Sequence, residues 1–357
     1  MTATLSEIRT RTLSVPLLRP WGSDVRAVHV IVVDVRDSDG ATGHGFAWTP
    51  SRGAAAVHAM LDEDIAPFAL GMDADPSCWR ELWEHVHEAG GGGVTTIALA
   101  GVDTALWDLA ARRVNAGLPE LLGRTHDRQP AYGSGVNLHY SLDDLVAQAR
   151  RWVDAGFSAV KVKVGRPKLG DDVERIGAVR DAIGDDRKLM VDANQRWELD
   201  EATRAVEQLA AFNIEWLEEP LRADDIAGHA ELRRRTGVRI ALGENVHTWH
   251  RFRDALDAQA VDIVQPNVVR VGGITPFLEI AKLARERKVE LAPHLLPELS
   301  AQIAFALPET TWVEDVEDAS FEHLGALVEP SGVVIADGWA GGGPRNGLGL
   351  RFKQEAS

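Results

Sequence analysis

From Ala131 onward the chain repeats one pattern, a short apolar run followed by an amphipathic stretch, at a period of roughly 20 to 30 residues. The runs are AYGSG (131–135), AVKVK (159–163), LMVDAN (189–194), IEWLEE (214–219), IALGEN (240–245), DIVQPN (262–267), ELAPH (290–294) and TWVED (311–315). Runs this short and this apolar read as strands buried on both faces, and strands alternating with helices build a parallel sheet. Eight is the number that closes such a sheet on itself, so the expected class is α/β with a (β/α)8-type barrel. An open doubly wound sheet is the competing arrangement, but no GxGxxG follows the early strands.

A chain of 357 residues outgrows one hydrophobic core, and the pattern before Pro130 differs from the pattern after it. Residues 28–37 (VHVIVVDVRD) and 40–48 read as strands, whereas 54–66, 76–88 and 95–114 carry helical spacing. We therefore expect an α+β capping domain at 1–125, the barrel at 126–325, and a segment at 326–357 that packs back on the cap. The glycine run 90–93 lacks a GK[ST] sequel, so it reads as a loop between helices and not as a phosphate cradle.

With 38 basic against 54 acidic residues, the net charge of −16 argues against nucleic acid or an anionic membrane as partner. The first twenty residues hold arginines where a signal peptide would be apolar, and no long apolar run follows, so a cytoplasmic enzyme is expected. The single cysteine, Cys78, can form no intrachain disulfide and is expected to be buried and inert. An acidic protein that takes a small anion must offset its own repulsion, and a bound divalent cation does so locally.

In a parallel barrel the active site forms where the strands end, and here the strands end on polar residues: Lys161 and Lys163, Asp192 and Asn194, Glu218 and Glu219, Glu244 and Asn245, Asn267, His294, Glu314. One such residue is usually a helix cap or a solvated charge, but seven consecutive strands are not explained that way. Asp192, Glu218 and Glu244 fall on three successive strands, and three converging carboxylates suit octahedral Mg²⁺. Thiolates are absent and carboxylates outnumber histidines, which disfavours Zn²⁺. Lys161 and Lys163 share one face of their strand, and their mutual repulsion beside a cation is expected to depress a lysine pKa toward neutrality. Lys163, nearer the strand end, is then the general base, with His294 facing the substrate from the opposite side.

The segments KVK (161–163), DANQRW (192–197), WLEEP (216–220), GEN (243–245), VGGIT (271–275) and APH (292–294), with ALAGVDTALWDLA (98–110) ahead of them, resemble the mandelate racemase subgroup of the enolase superfamily. The resemblance spans essentially the whole chain. It implies Mg²⁺ on Asp192, Glu218 and Glu244, bases at Lys163 and His294, Lys161 tuning Lys163, Asn194 contacting ligand, and Glu314 donating to an enolate or carboxylate oxygen. It also implies a homo-oligomer. A Lys or His base beside a Mg²⁺-stabilised enediolate is the known chemistry of that superfamily, and it comes to this chain with the resemblance alone. One position departs from the pattern: Asn267 stands where that group pairs an aspartate with the histidine. It can accept a hydrogen bond from His294 but cannot stabilise an imidazolium as a carboxylate does.

Racemisation needs two matched bases, so Asn267 favours dehydration of an acid sugar to a 2-keto-3-deoxy acid. An epimerase or lactone cycloisomerase comes second, and a barrel that binds an acid sugar with impaired catalysis third. The capping segments 17–26 and 48–52 are expected to cover the site, with Trp21 and Trp48 against the substrate and Arg19, Ser23, Thr49 and Arg52 favouring a polyhydroxy acid.

Overall fold

In a computed structural model that describes residues 3–22 and 24–354, three antiparallel strands open the chain: β1 (Leu5–Trp21), β2 (Val25–Asp37) and β3 (Thr42–Thr49). The first of these was not expected from sequence. In β1 the buried Leu5, Leu13 and Val15 are interleaved with Arg and Thr facing water, and the pairing register with β2 shifts between Pro16 and Trp21. Residue 23, in the connection to β2, lies outside the described residues, so Ser23 is not placed.

The helix Val94–Arg113 lies across this sheet. A Cβ at Gly45 of β3 would stand 2.2 Å from the Ala105 nitrogen, so glycine there is what lets helix and sheet touch. By length and composition this helix could cross a membrane, yet 78% of its apolar window is buried inside the protein, and Asp103 and Asp108 sit within it. It is the core helix of the cap. The glycine run follows the short helical turn His87–Ala89 as a loop, with Gly91 accepting a hydrogen bond from Trp83. Cys78 is buried, and burial pushes its thiol up to about 12, so it is unreactive.

The eight expected runs all become parallel strands: β4 (Arg128–Ser134), β5 (Ala159–Lys163), β6 (Lys188–Asp192), β7 (Ile214–Glu218), β8 (Ile240–Leu242), β9 (Ile263–Val264), β10 (Glu290–Leu291) and β11 (Val313–Val316). They pair in chain order from β4 to β10, and β11 returns to pair with β4. Between β10 and β11 the barrel is closed by side chains: the Thr311 hydroxyl donates to the Leu291 carbonyl, and the Leu295 N–H donates to Glu314 Oε2 at 2.9 Å. The barrel floor is a buried layer of Tyr132, Ala159, Met190, Trp216, Ala241, Ile263 and Ala292, with Trp312 beside it. Strand alternation places the next inward residue two positions on, and those positions are Ser134, Lys161, Asp192, Glu218, Gly243, Gln265, His294 and Glu314. A floor of apolar side chains therefore carries a layer that is almost wholly polar.

The tail departs from expectation in part. Strands β12 (Val333–Ala336) and β13 (Trp339–Gly342) form a hairpin, and β13 pairs antiparallel with the start of β4, so it extends the barrel sheet and not the cap. The start of β4 has an open side there, which the hairpin covers. Beyond it the tail does pack on the cap, where the Leu348 N–H donates to Asp108 at 2.6 Å and Phe352 packs 5.2 Å from Phe46.

Candidate active site

Register sets the site. Lys163, Asp192 and Glu218 are direct neighbours across β5, β6 and β7, so ammonium and carboxylates sit side by side at the strand ends. Glu244 follows Gly243 just past β8, where the chain runs hard against its neighbour: a Cβ at Gly243 would lie 2.5 Å from the Gln265 backbone.

Lys161 is 1% exposed and holds both oxygens of Glu218 at 2.8 Å and Glu314 Oε1 at 2.8 Å, with the Tyr132 ring 5.6 Å away. Lys163 is ion-paired with Asp192, and its backbone N–H is fixed by Asn137 Oδ1 at 2.9 Å. Burial works to lower both lysine pKa values, but Glu218 and Glu314 outweigh it at Lys161, and Asp192 outweighs it at Lys163, so both are raised. The lysines face carboxylates more closely than they face each other.

The carboxylates divide by environment. Burial lifts Glu218 to about 7 against the pull of Lys161, whereas Glu244 is driven well below the usual range because His294 overcomes its burial. At Glu314 burial is likewise overcome by Lys161 and His294, and the pKa falls to about 2. In this arrangement Glu314 accepts from Lys161 and from the Leu295 N–H. Glu219, buried and at φ 39°, is pushed well above its usual value by burial and then by Glu244 and Asp192. Its Oε1 has no hydrogen-bond partner.

His294 Nε2 lies 2.6 Å from Glu244 Oε2 and 3.8 Å from Glu314 Oε2. Its Nδ1 faces Asn267 Nδ2 at 3.1 Å. Asn267 does not accept from the histidine as expected, because its Oδ1 is taken by the N–H groups of Val269 and Arg270, each at 3.1 Å.

Oxygens of Glu218 and Glu244 and a ring nitrogen of His294 all lie within 4.8 Å of one another, the one such metal-sized group found among the described residues. Asp192 stands adjacent, its Oδ2 turned to Lys163 and its Oδ1 accepting the Asn194 N–H at 2.8 Å. Asn194, at φ 44°, reaches Glu244 Oε1 with its Nδ2 at 3.2 Å, so it braces two carboxylates.

Of the capping residues, Trp48 is buried in the core and meets Trp21 edge-on at 6.4 Å. Nothing places either against the carboxylates. Arg19, Pro20 and Trp21 instead line a small cleft with Val136, Tyr140, Glu317 and Asp318 from the loops after β4 and β11. Arg19 lies 3.6 Å from Asp318, and its pKa is raised by a hydrogen bond with Tyr140. Arg52 pairs with Asp24 in solvent, and Thr49 is buried. Four residues were missed from sequence: Gln265, which donates to Glu218 at 2.8 Å; Tyr132 under Lys161; Asn137; and Arg270, which donates to the Glu244 carbonyl and to Asn245.

Two family models account for almost the whole chain: the mandelate racemase / muconate lactonizing enzyme N-terminal domain over residues 7–123, and the enolase C-terminal domain-like model over residues 144–356. The chain is 39% identical to a 3,6-anhydro-α-L-galactonate cycloisomerase of Streptomyces coelicolor, over 90% of this chain and 88% of the relative. It is 36% identical to an L-talarate/galactarate dehydratase of Salmonella typhimurium, over 92% of this chain and 82% of the relative. The crystal structure of an L-talarate dehydratase from Polaromonas, complexed with Mg and L-glucarate, superposes with a TM-score of 0.87 at 34% identity, covering 99% of this chain and 96% of that one. With a strand-end site of this composition and models matched from the cap through the barrel, the chain belongs to the mandelate racemase / muconate lactonizing enzyme family of the enolase superfamily.

Proposed function

We propose that the protein is a Mg²⁺-dependent acid-sugar dehydratase that removes the proton next to a carboxylate and expels the β-hydroxyl, giving a 2-keto-3-deoxy acid. The observation that carries this reading is the strand-end layer itself: carboxylates at the ends of three adjacent strands, lysines on one flank and a histidine facing Glu244 through Nε2 on the other.

The donor set fits the cation. Asp192, Glu218 and Glu244 offer hard oxygens; the first two are buried and the Glu244 side chain is 12% exposed, which leaves them costly as a group unless a cation shares their charge. His294 is within metal distance of two of them, but its Nε2 is occupied by Glu244 and Mg²⁺ prefers oxygen, so Asp192 completes the set. Glu219, with its unpartnered oxygen, lies just outside. When bound, Mg²⁺ supplies positive charge to the substrate carboxylate as its neighbouring carbon loses a proton.

The protein's own groups do the rest. Lys163 stands at the mouth end of β5, and burial pulls its pKa down against Asp192, Glu244 and Glu218; with the charge of those carboxylates shared by a bound cation, Lys163 would be able to take the proton. Lys161, locked between Glu218 and Glu314, holds its positive charge beneath the site. The second reading, cycloisomerisation of an anhydro acid sugar, begins with the same proton abstraction and is favoured by the 39% identity to the Streptomyces cycloisomerase.

Incubation with galactarate, L-talarate, L-glucarate and 3,6-anhydro-α-L-galactonate in Mg²⁺, followed by NMR of the products, separates the readings. A 2-keto-3-deoxy acid from a diacid supports dehydration, isomerised anhydro sugar alone supports the second reading, and no turnover of any acid sugar contradicts both. Glu218→Gln should weaken Mg²⁺ binding at least tenfold by calorimetry, and unchanged affinity would place the metal elsewhere.

A further inference from the structure

Lys163 ends β5 at a level where one neighbouring strand has already stopped. Successive N–H groups along a strand turn to opposite sides, and the Val164 N–H donates to the Asp192 carbonyl of β6 at 2.8 Å, so the Lys163 N–H faces β4. Strand β4 runs out at Ser134, opposite Lys161, and has no carbonyl to offer there. The Asn137 side chain takes that place, its Oδ1 accepting the Lys163 N–H at 2.9 Å.

The order of donors beyond Asn137 is forced from both ends. A backbone N–H only donates, so the Asn137 atom it meets is oxygen, and Nδ2 at the other end donates to Gln148 Oε1 at 2.9 Å. Gln148, on the helix Leu142–Asp154, then donates through Nε2 to Glu317 Oε2 at 2.7 Å. Burial works to raise the Glu317 pKa, but Arg151, with two hydrogen bonds at 2.9 Å, and Gln148 lower it, so Glu317 is a carboxylate and only accepts. Asn137 and Gln148 are buried, the Asn137 carbonyl accepts from Arg175 at 3.0 Å, and the Glu317 N–H is clamped to the Ser134 carbonyl at 2.9 Å.

We infer that Asn137 is a positioning residue for Lys163, replacing the missing strand neighbour, and that Gln148 and Glu317 hold its amide in the one orientation that can do so. The inference rests on the reading of Lys163 as the base. It also implies that the chain can be run backwards. Asn137→Asp alone puts a carboxylate at each end of Gln148, whose NH₂ group can turn to only one of them. Adding Glu317→Gln supplies an amide that donates to Gln148 Oε1, while Gln148 donates to the aspartate and the aspartate still accepts from Lys163.

Two readouts test this. In metal-free protein labelled with ¹⁵N-lysine, NMR hydrogen exchange follows the Lys163 N–H, assigned by its loss in Lys163→Ala. That N–H should be protected in wild type and in the double variant Asn137→Asp, Glu317→Gln, and lose protection in Asn137→Ala. With Mg²⁺ and an acid sugar that the enzyme accepts, kcat for α-²H exchange should fall on the order of 10²-fold in Asn137→Ala, the cost of displacing a reacting group by about an ångström, with KM and Mg²⁺ affinity unchanged. The double variant should exchange faster than Asn137→Asp alone. Equal protection in wild type and Asn137→Ala, or a wild-type kcat in Asn137→Ala, overturns the inference. A double variant no faster than Asn137→Asp overturns the part given to Gln148 and Glu317, whether or not Asn137→Ala folds. Lys163→Ala exchanging substrate at the wild-type rate removes the proposed base and this inference with it, whereas a slow Lys163→Ala beside an unimpaired Asn137→Ala removes this inference alone.

Discussion

Lys161 and Lys163 differ by two positions on one strand, yet they answer different demands. Lys161 is enclosed by Glu218, Glu314 and the Tyr132 ring, so removing it strands two buried carboxylates. Lys161→Ala should cost about 3–5 kcal/mol in a urea titration, the range for breaking one side of a buried ion pair. Lys163 is 12% exposed and faces one carboxylate, so Lys163→Ala should cost much less stability while losing activity. If Lys161→Ala instead unfolds at the wild-type urea midpoint, the two carboxylates find other partners and the charge-holding role given to Lys161 is wrong. Asn267 makes the same point about chemistry: its type is legible in the chain, but its polarity depends on how the backbone turns at Val269 and Arg270.

At the level of elements, cap and barrel are joined by a helix start. Asp103, within the capping helix, accepts from the Thr275 N–H at 3.1 Å and the Thr275 hydroxyl at 2.5 Å, capping the barrel helix Ile274–Glu286, while Trp107 donates to Thr275 at 2.9 Å. Burial raises the Asp103 pKa to about 7, against hydrogen bonds that lower it. A folded pKa above the unfolded one means that its contribution is fully present below about pH 4 and is lost as pH rises through 7. Asp103→Asn, which does not ionise, should therefore lose less stability than wild type between pH 4 and 8 in denaturant titrations; parallel pH curves would show that Asp103 does not titrate there. Elements of this kind also show what a sequence discloses. The eight barrel strands were legible because burial on both faces makes them uninterrupted apolar runs, and their polar ends named Asp192, Glu218 and Glu244. Strand β1 was hidden because one face meets water and Pro16 interrupts it. The hairpin β12–β13 was hidden because its docking on β4 is a long-range pairing with no local signal. Gln265 and Tyr132 entered the site only through the inward stacking of strands far apart in sequence.

On the scale of the whole molecule, the contacts that join cap and barrel include Asp103 on Thr275 and Arg19 beside Asp318, and the tail reaches the cap at Leu348 on Asp108. We propose a homo-oligomer in solution, and light scattering should give a mass well above the 38.8 kDa of one chain; a value at that mass contradicts it. Lys163 is proposed to remove the α-proton, with His294 acting on the departing oxygen. Solvent ²H incorporation at the α-carbon, followed by NMR on an acid sugar that the enzyme accepts with Mg²⁺ present, tests it directly. Wild type and His294→Asn should both exchange, with product lost in the latter, whereas Lys163→Ala should exchange on the order of 10³-fold more slowly or worse. Exchange at the wild-type rate in Lys163→Ala, with none in His294→Asn, would contradict the account and place the base on His294.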